Sequence, residues 1–413
     1  MSTKTFEIPK MLVWNAWKLV RANGGTGGVD GVSIEAFENN LKNNLYRIWN
    51  RMSSGSYFPP AVRGVEIPKS GGGSRLLGIP SIGDRVAQTA VKLQIEARLD
   101  AQFLPDSYGY RPSKSAHDAI GETRKRCWKS PWVLEFDIRS MFDKISHVLV
   151  MKAVEKHVDE KWCRLYIRRW LEAEILLPTN HLKKRDTGTP QGGVISPVLA
   201  NLFMHYAFDL WMKRNFPQNQ WARFADDAVV HCKTKQEAAV LKEALSTRLE
   251  ECGLEIHLEK THIVYVGHNS SLRAQNPHKF TFLGFTFQMR RSVNKMTGEK
   301  FQNLLPAVSK KALNRMREIV RNTWKIRLRS DLQLEEIAAF VNPVLRGWFS
   351  YYGKYYVSEM RNIARYLDEA IIAWARRRFR LKHSAYRRLY DWLRAEFQKN
   401  STLFVHWKYF KVY

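Results

Sequence analysis

The sequence has few cysteines and places none of them in a metal-binding or redox pair. Only four occur among 413 residues, at positions 127, 163, 232 and 252. None forms a C-x-x-C spacing, so neither a structural zinc site nor a disulfide framework is expected. The same scarcity is typical of a protein in a reducing compartment, and a cytoplasmic location is the expectation.

Long apolar runs are also missing. No segment approaches the ~20 apolar residues that a membrane-spanning helix needs. The N-terminal residues MSTKTFEIPKMLVWNAW show no apolar core followed by a small-residue cleavage site, so no signal peptide is expected. Tandem repeats are absent as well. With 45% hydrophobic residues over 413 positions, two or three globular domains are expected.

Acidic residues are scarce relative to basic ones. The chain has 67 Lys and Arg against 39 Asp and Glu, a formal charge of +28. Residues 291–413 carry 26 basic and 10 acidic residues, so +16 of that excess lies in under a third of the chain. Positive charges in such excess repel one another, and a protein that carries them usually binds a polyanion. Nucleic acid is the first candidate partner, and an anionic membrane surface is the second.

The stretch WARFADDAVVHC (221–232) sets two aspartates in an otherwise apolar run. Its pattern predicts a strand, a tight turn and a second strand. Asp226 and Asp227 are compatible with simple turn residues, which aspartate favours. Neighbouring carboxylates in a low-dielectric setting also repel each other unless a cation lies between them. From this pair alone, a hairpin turn and a metal site both stay open.

A third aspartate strengthens the metal hypothesis. WVLEFDI (132–138) alternates like a strand, with Asp137 on the face opposite its apolar residues. If this strand pairs beside the FADD hairpin, Asp137 and Asp226 point to the same place. Three carboxylates at adjoining strand ends would suit Mg²⁺. Two such ions, roughly 3.5–4 Å apart, can serve phosphoryl transfer.

Elsewhere the patterns indicate an α+β fold. Strands are predicted around 62–67 and 75–79, joined by a glycine turn at 71–73, and again over 253–266 and 280–287. Helical spacing is predicted from residue 82, after Ser196 as a capping residue before a proline, and throughout 309–398. The change from mixed strands and helices to mainly helical periodicity predicts a domain boundary near 290–308.

Nine motifs follow one another in a fixed order: GGVDGVS, YFPPAVRGVEIPK, RLLGIPSIGDRVAQTAV, SYGYRPSKSAHDAI, VLEFDIRSMFDKISH, GTPQGGVISPVLANLFMHYAFD, RFADDAVVHC, GLEIHLEKT and FLGFTF. RGWFSYYGKY (346–355) follows them. The series resembles the group II intron-encoded reverse transcriptases, also called maturases, over nearly the whole chain. The resemblance implies a right-hand polymerase fold with fingers (1–125), palm (126–290), a helical thumb or maturase domain (291–400) and a short basic tail (401–413).

The resemblance also implies roles for individual residues. Asp137, Asp226 and Asp227 would be the catalytic aspartates and would hold two Mg²⁺ ions, with the backbone carbonyl of Ile138 assisting. The nucleotide-binding residues would be Lys69, Arg75, Ile138, Phe142, Gln191 and Lys260. In the basic C-terminal region, nucleic-acid contacts are expected from Arg346, Trp348, Tyr351, Arg376, Arg377 and Arg378.

Two departures from the family pattern stand out. Phe224 occupies the position before A-D-D where the family usually has tyrosine, which removes a hydroxyl but no metal ligand. Activity is expected to survive this change. No cysteine-rich or H-N-H segment follows the thumb region, so no endonuclease is expected.

The leading hypothesis is an RNA-directed DNA polymerase that uses dNTPs, an RNA template and a DNA primer. It would also bind intron RNA to assist splicing and retromobility at a DNA target. Two alternatives stay open: a splicing-only maturase with a vestigial site, and a reverse transcriptase with a host role in repair or defence. Membrane binding is not expected, and a dimer is neither predicted nor excluded.

Overall fold

Helices and strands alternate through the first two thirds of the chain, and helices dominate after residue 309. The computed structural model describes residues 4–68, 73–294, 296–381 and 386–412. The helices are α1 Lys10–Asn23, α2 Ile34–Glu38, α3 Leu41–Ser53, α4 Ile82–Asp100, α5 Ala116–Lys129, α6 Met141–Lys144, α7 His147–His157, α8 Lys161–Glu172, α9 Ser196–Met204, α10 Leu210–Asn215, α11 Lys235–Glu251, α12 Ser270–Gln275, α13 Lys310–Glu318, α14 Leu334–Tyr356, α15 Arg361–Arg378 and α16 Tyr386–Lys399. The strands are β1 Val62–Pro68, β2 Ser74–Ile79, β3 Trp132–Phe136, β4 Ile175–Leu176, β5 Leu182–Lys183, β6 Trp221–Phe224, β7 Asp227–Cys232, β8 His262–Tyr265, β9 Phe280–Phe282, β10 Phe285–Val293 and β11 Lys300–Val308. Within the described ranges, no helix is both long and apolar enough to cross a membrane.

The chain divides into two units. The first comprises Met1–Ala119, Phe136–Val230 and Lys235–Thr261, and the second comprises Ile120–Glu135, His231–Thr234 and His262–Tyr413. In the first unit, α1 packs on α4. One sheet of this unit has the order β2-β1-β4-β5, with β1 antiparallel to β2 and parallel to β4. The two strands predicted around 62–67 and 75–79 are confirmed.

The strands nearest the aspartates form a sheet in the order β6-β7-β3-β8. β6 and β7 are antiparallel, and Phe224 pairs with Asp227 across a two-residue turn. β3 is antiparallel to β8. The predicted hairpin at 221–232 and its predicted place beside the strand that precedes Asp137 are both confirmed.

The second unit is mainly helical. Its core is built from α13 to α16 and includes the buried side chains of Trp324, Leu345, Leu367 and Trp374. A three-stranded antiparallel sheet with the order β11-β10-β9 belongs to the same unit. The mainly helical structure predicted for 309–398 is confirmed for the described residues in that range.

Several local predictions need correction. The predicted strand at 253–266 is broken, because Leu258–Lys260 form a 3₁₀ turn in which the amide of Lys260 donates to the carbonyl of His257 (3.0 Å). The predicted strand at 280–287 is a hairpin: Leu283 and Gly284 both have positive φ, of 51° and 79°, so the bend expected from the sequence at Gly284 is confirmed but reverses the chain fully. Such a pair reverses the chain in two residues.

Two boundaries also differ from the prediction. β3 ends at Phe136, so Asp137 lies just beyond the strand rather than within it. α9 begins at Ser196 itself, with Ile195 at the N-cap, so Ser196 is not the capping residue. Its hydroxyl accepts a hydrogen bond from the Thr189 hydroxyl at 2.5 Å, which takes the place of the predicted cap.

Candidate active site

The paired aspartates lie at the turn of a short hairpin with an unusual backbone. β6 ends at Phe224 and β7 begins at Asp227, so Ala225 and Asp226 form the turn. Ala225 is buried and has φ +59°, in the left-handed region that alanine rarely adopts. Such a conformation costs about 1–3 kcal/mol and persists only where the surroundings enforce it.

The segment 106–110 supplies part of that enforcement. Its residue Ser107 bridges in parallel to Arg223 of β6, and the amide of Tyr108 donates to the carbonyl of Arg223 (2.8 Å). Gly109 lies so close to the turn that an added Cβ would be 2.5 Å from the amide nitrogen of Ala225. Only glycine fits there, and its backbone limits the room in which the turn can relax.

Asp226 and Asp227 occupy different environments. Asp226 is half-buried, whereas Asp227 is exposed. Burial raises the pKa of Asp226, and the negative charge of Asp137 raises it further. A backbone hydrogen bond, Arg75 and Lys260 oppose that rise. The carboxylates of Asp137 and Asp226 therefore lie within electrostatic reach of each other.

Asp137 is held on both its backbone and its side chain. Its carbonyl accepts a hydrogen bond from the amide of His257 (2.8 Å). Its Oδ2 lies 2.5 Å from Nζ of Lys260, a residue whose side chain is 59% exposed. Lys260 was expected to contact nucleotide phosphate. In the structure its ammonium pairs with Asp137, and its predicted role toward nucleotide stays a prediction.

The carboxylates are not arranged as a ready-made metal centre. In the part of the chain that the structure describes, no three His, Cys, Asp or Glu residues form a group that could hold a metal ion. Their chemistry nevertheless fits one. Burial, and to a lesser extent repulsion by Asp137, raises the pKa of Asp226, and a divalent cation would relieve both costs. Carboxylate oxygens are the donors that Mg²⁺ prefers.

Ile138 and Phe142 follow Asp137 in the same unit. Ile138 is buried and forms an antiparallel bridge with Ile256. Phe142 lies in α6 and is buried, and its carbonyl accepts a hydrogen bond from the amide of Thr189 (2.7 Å). Their predicted roles toward metal and nucleotide stay predictions.

Arg75 and Gln191 lie together. Nε of Arg75 donates to Oε1 of Gln191, and the amide of that side chain donates to Oδ1 of Asp143 (3.3 Å). The Gln191 carbonyl accepts from the amide of Gly78 (2.8 Å). Arg75 also lowers the pKa of Asp226, so its charge reaches the carboxylates. Lys69, the other predicted triphosphate ligand, lies outside the described residues.

Tyr110 belongs to the site, although sequence reasoning assigned it no role. It has φ +55°, the residue is 53% exposed, and its ring centroid is 6.3 Å from that of Phe224. Burial raises the pKa of its hydroxyl, and so do the charges of Asp226 and Asp227, while Arg75 opposes them. The motif SYGYRPS was the available signal, but only the fold shows that it reaches the turn.

The predicted nucleic-acid contacts divide into two groups. Arg346 and Arg377 are exposed. The others have partners within their own unit: Trp348 stacks on Trp324 at 5.2 Å. The Tyr351 hydroxyl donates to the Leu283 carbonyl (3.0 Å), Arg376 lies over the ring of Tyr386 (5.5 Å), and Arg378 donates to the Ser330 carbonyl (2.6 Å).

Comparison with protein families gives two matches in succession. Residues 67–287 match the family "Reverse transcriptase (RNA-dependent DNA polymerase)". Residues 313–392 match "Group II intron, maturase-specific domain". The chain belongs to the group II intron reverse transcriptases. The α+β polymerase fold class and the assignment to the RNA-directed DNA polymerases predicted from the sequence are thereby confirmed, and this family generally uses divalent metal ions.

Individual relatives agree with the family matches. Protein YkfC of Escherichia coli K12 is 31% identical over 352 residues, 75% of this chain and 87% of that protein. Group II intron-encoded protein LtrA of Lactococcus lactis is 28% identical over 215 residues. That alignment covers 51% of this chain and only 36% of LtrA.

Among solved structures, telomerase from Candida albicans in complex with telomeric RNA matches with a TM-score of 0.45 and 14% identity, over 89% of this chain and 69% of that one. Telomerase from Candida tropicalis matches with a TM-score of 0.43 and 16% identity, over 62% and 60%.

Proposed function

We propose that this reverse transcriptase copies RNA into DNA with Mg²⁺, dNTPs and a DNA primer, and that it binds its intron RNA to assist splicing and retromobility at a DNA target. The observation that carries the catalytic part is the placement of Asp226 within electrostatic reach of Asp137, on a strained turn, with Arg75 and Lys260 beside them. Structural ion pairs seldom need a strained backbone, whereas active sites often have one.

We further propose that Asp137, Asp226 and Asp227, with the carbonyl of Ile138, hold two Mg²⁺ ions. When bound, such ions activate the primer 3′-hydroxyl and stabilise the departing pyrophosphate. The chain's own residues position the reactants. Arg75 offers a charged fork to the triphosphate, and Gln191 borders the base pair being formed. Phe142 limits the space beside the sugar and so disfavours a ribonucleotide.

The family matches support the domain limits proposed from the sequence. Residues 67–287 fall within the fingers and palm, taken as 1–125 and 126–290. Residues 313–392 fall within the thumb, taken as 291–400 and followed by the tail 401–413. The basic excess of residues 291–413 would contact phosphates of the intron RNA or of the template duplex.

A binding-only maturase is the second candidate, and one observation favours it. The ammonium of Lys260 forms an ion pair with the carboxylate of Asp137, so the aspartates are not arranged to receive a metal ion while this pair is present. A protein that had lost polymerisation could keep this ion pair permanently. An active polymerase must give it up when metal and nucleotide bind.

Primer extension on an RNA template distinguishes the two. Wild type would be compared with Asp226→Ala/Asp227→Ala, with dNTPs and Mg²⁺, and both proteins would be tested for RNA binding. Extension by wild type alone, with RNA binding kept by both, would support the polymerase. Equal RNA binding with no extension by either would establish the binding-only maturase and refute the polymerase.

A further inference from the structure

A fully buried arginine lies beneath the turn that carries Asp226. The side chain of Arg223 has no solvent exposure, and neither has that of Asp209. Nε and Nη2 of Arg223 donate to Oδ1 and Oδ2 of Asp209, each at 2.7 Å. The two parallel hydrogen bonds make this a bidentate ion pair, the geometry in which arginine binds a carboxylate best.

The remaining donors of Arg223 are also used. Nη2 donates to the hydroxyl of Ser107 (2.8 Å), and Nη1 donates to Oδ1 of Asn201 (3.2 Å) and to the carbonyl of Ala225 (3.1 Å). With the two bonds to Asp209, all five N–H groups of the guanidinium have an acceptor. Such complete satisfaction is what a buried charge requires, because each unpaired donor would carry its full desolvation cost.

Two of these contacts converge on the strained turn. Nη1 of Arg223 holds the carbonyl of Ala225, the residue with φ +59°. Asn201, which shares Nη1, also donates from its amide to the carbonyl of Gly109 (2.6 Å). Gly109 in turn packs against the amide of Ala225. One buried network therefore fixes the turn from both sides, immediately before Asp226.

We propose that Arg223, neutralised by Asp209, is a positioning residue that holds the Ala225 carbonyl and so keeps Asp226 aimed at the metal. This role rests on the proposed metal-dependent polymerase function. The Ala225 carbonyl that Nη1 bonds belongs to the residue immediately before Asp226, the proposed metal ligand, so the network acts on the turn as well as satisfying the buried charge. Hydrophobic side chains often replace buried ion pairs without loss of stability.

Arg223→Lys is the decisive variant. Lysine keeps a positive charge for Asp209, but its single ammonium cannot span the carboxylate and the Ala225 carbonyl as the fork does. Arg290→Lys is the matched control. Arg290 is 10% exposed, pairs with Glu359 (2.9 Å) and donates to the carbonyl of Leu305 (3.2 Å), all in the other unit. Arg290→Lys likewise removes the guanidinium of a largely buried arginine that pairs with a carboxylate and donates to a backbone carbonyl.

Three quantities would be measured on wild type and both variants: Mn²⁺ affinity by electron paramagnetic resonance, kcat for primer extension, and the thermal unfolding midpoint. We expect both variants to lower the midpoint. Only Arg223→Lys should weaken Mn²⁺ binding, by about tenfold, and lower kcat by tenfold to a hundredfold with the KM for template–primer unchanged. Saturating Mg²⁺ should restore part of that kcat.

Arg223→Lys with a lowered midpoint but wild-type Mn²⁺ affinity and kcat would overturn the positioning role and leave the polymerase intact. Wild type that neither binds Mn²⁺ nor extends a primer would overturn the proposed function, and the positioning role with it. Should Arg223→Lys not fold, Asn201→Ala replaces it, because it removes the amide that links Nη1 to Gly109. A threefold or larger loss of Mn²⁺ affinity is then expected, and an unchanged affinity would refute the proposal.

Discussion

Nζ of Lys260 lies 2.5 Å from Oδ2 of Asp137, so a protein cation stands against a carboxylate proposed to bind metal. Metal binding must displace this ammonium. An ion pair this exposed is worth up to about 1 kcal/mol. Lys260→Met should therefore tighten Mn²⁺ binding by the free protein about threefold to fivefold, measured by electron paramagnetic resonance.

The charge-conserving control for this prediction is Lys260→Arg, which should leave Mn²⁺ affinity near wild type. If the displaced ammonium then contacts triphosphate, Lys260→Met should also raise the KM for dNTP severalfold in primer extension. Weaker Mn²⁺ binding by Lys260→Met would contradict the competition between lysine and metal.

Asp226 should lower the stability of the metal-free protein. Its pKa is raised in the folded state, chiefly by burial and further by Asp137. The folded state thus binds the proton more tightly than the unfolded chain, and stability falls as the pH rises through the pKa of the unfolded chain toward that of the folded state. Asp226→Asn should raise the unfolding midpoint at pH 7 by about 1–3 °C while abolishing primer extension.

The gain from Asp226→Asn should disappear below the ordinary aspartate pKa of about 3.9, where the wild-type carboxyl is protonated in both states. Asp227→Asn is the matched control, because Asp227 is exposed and should show no comparable gain that depends on pH in this way. The measurement is calorimetry in the presence of a chelator from pH 3.5 to 7.5. An equal gain for both variants would count against a special environment at Asp226.

The sequence was sufficient for features that depend on local pattern. Alternating apolar residues and two aspartates predicted the hairpin at 221–232, and Asp137 was expected beside it because a strand precedes it. The alternation of apolar and polar residues at 253–266 predicted one continuous strand, which is wrong. The chain turns at Leu258–Lys260, and this turn brings Lys260 to Asp137. Periodicity cannot report a contact between residues 123 positions apart.

The bracing of the turn was beyond sequence reasoning for the same reason. Arg223 reads as an ordinary strand residue, and Tyr110 and Gly109 read as parts of a loop. Their importance comes from the bridge between Ser107 and Arg223, which lays a distant segment along β6. An ion pair such as Arg223–Asp209 has no signature in periodicity or composition, because its partners meet only after folding.

Gly109 offers a direct test of the braced turn. A Cβ at this position would lie 2.5 Å from the amide nitrogen and 3.0 Å from the carbonyl carbon that form the Phe224–Ala225 peptide bond. Gly109→Ala must push the turn aside, at a cost of about 1–3 kcal/mol. We expect kcat for primer extension to fall at least tenfold, with RNA affinity unchanged in a filter-binding assay.

The control for Gly109 is Gly83→Ala in α4. An added Cβ there would meet its nearest atom, Cδ1 of Ile48, at an ordinary 3.5 Å. Alanine also favours helix, so stability and kcat should stay at or above wild-type values. Full activity in Gly109→Ala would show that the turn tolerates displacement.

The basic residues of the second unit should fall into two groups: those that contact RNA and those that form hydrogen bonds within the unit. Arg346 and Arg377 are exposed, whereas Arg378 donates to the Ser330 carbonyl at 2.6 Å. Each lost phosphate contact reduces the slope of log affinity against log salt by about 0.7–0.9. Arg346→Ala and Arg377→Ala should each reduce the slope for intron RNA by that amount, measured from 50 to 300 mM KCl.

Arg378→Ala is the internal comparison for that salt series, since it removes an equal charge from the same helix end as Arg377. Its loss should lower the thermal unfolding midpoint, because the Ser330 carbonyl loses its donor, and should leave the slope nearly unchanged. Trp348→Ala should behave in the same way, because Trp348 stacks on Trp324. Equal slope changes for Arg377→Ala and Arg378→Ala would mean that exposure does not decide which arginines bind RNA.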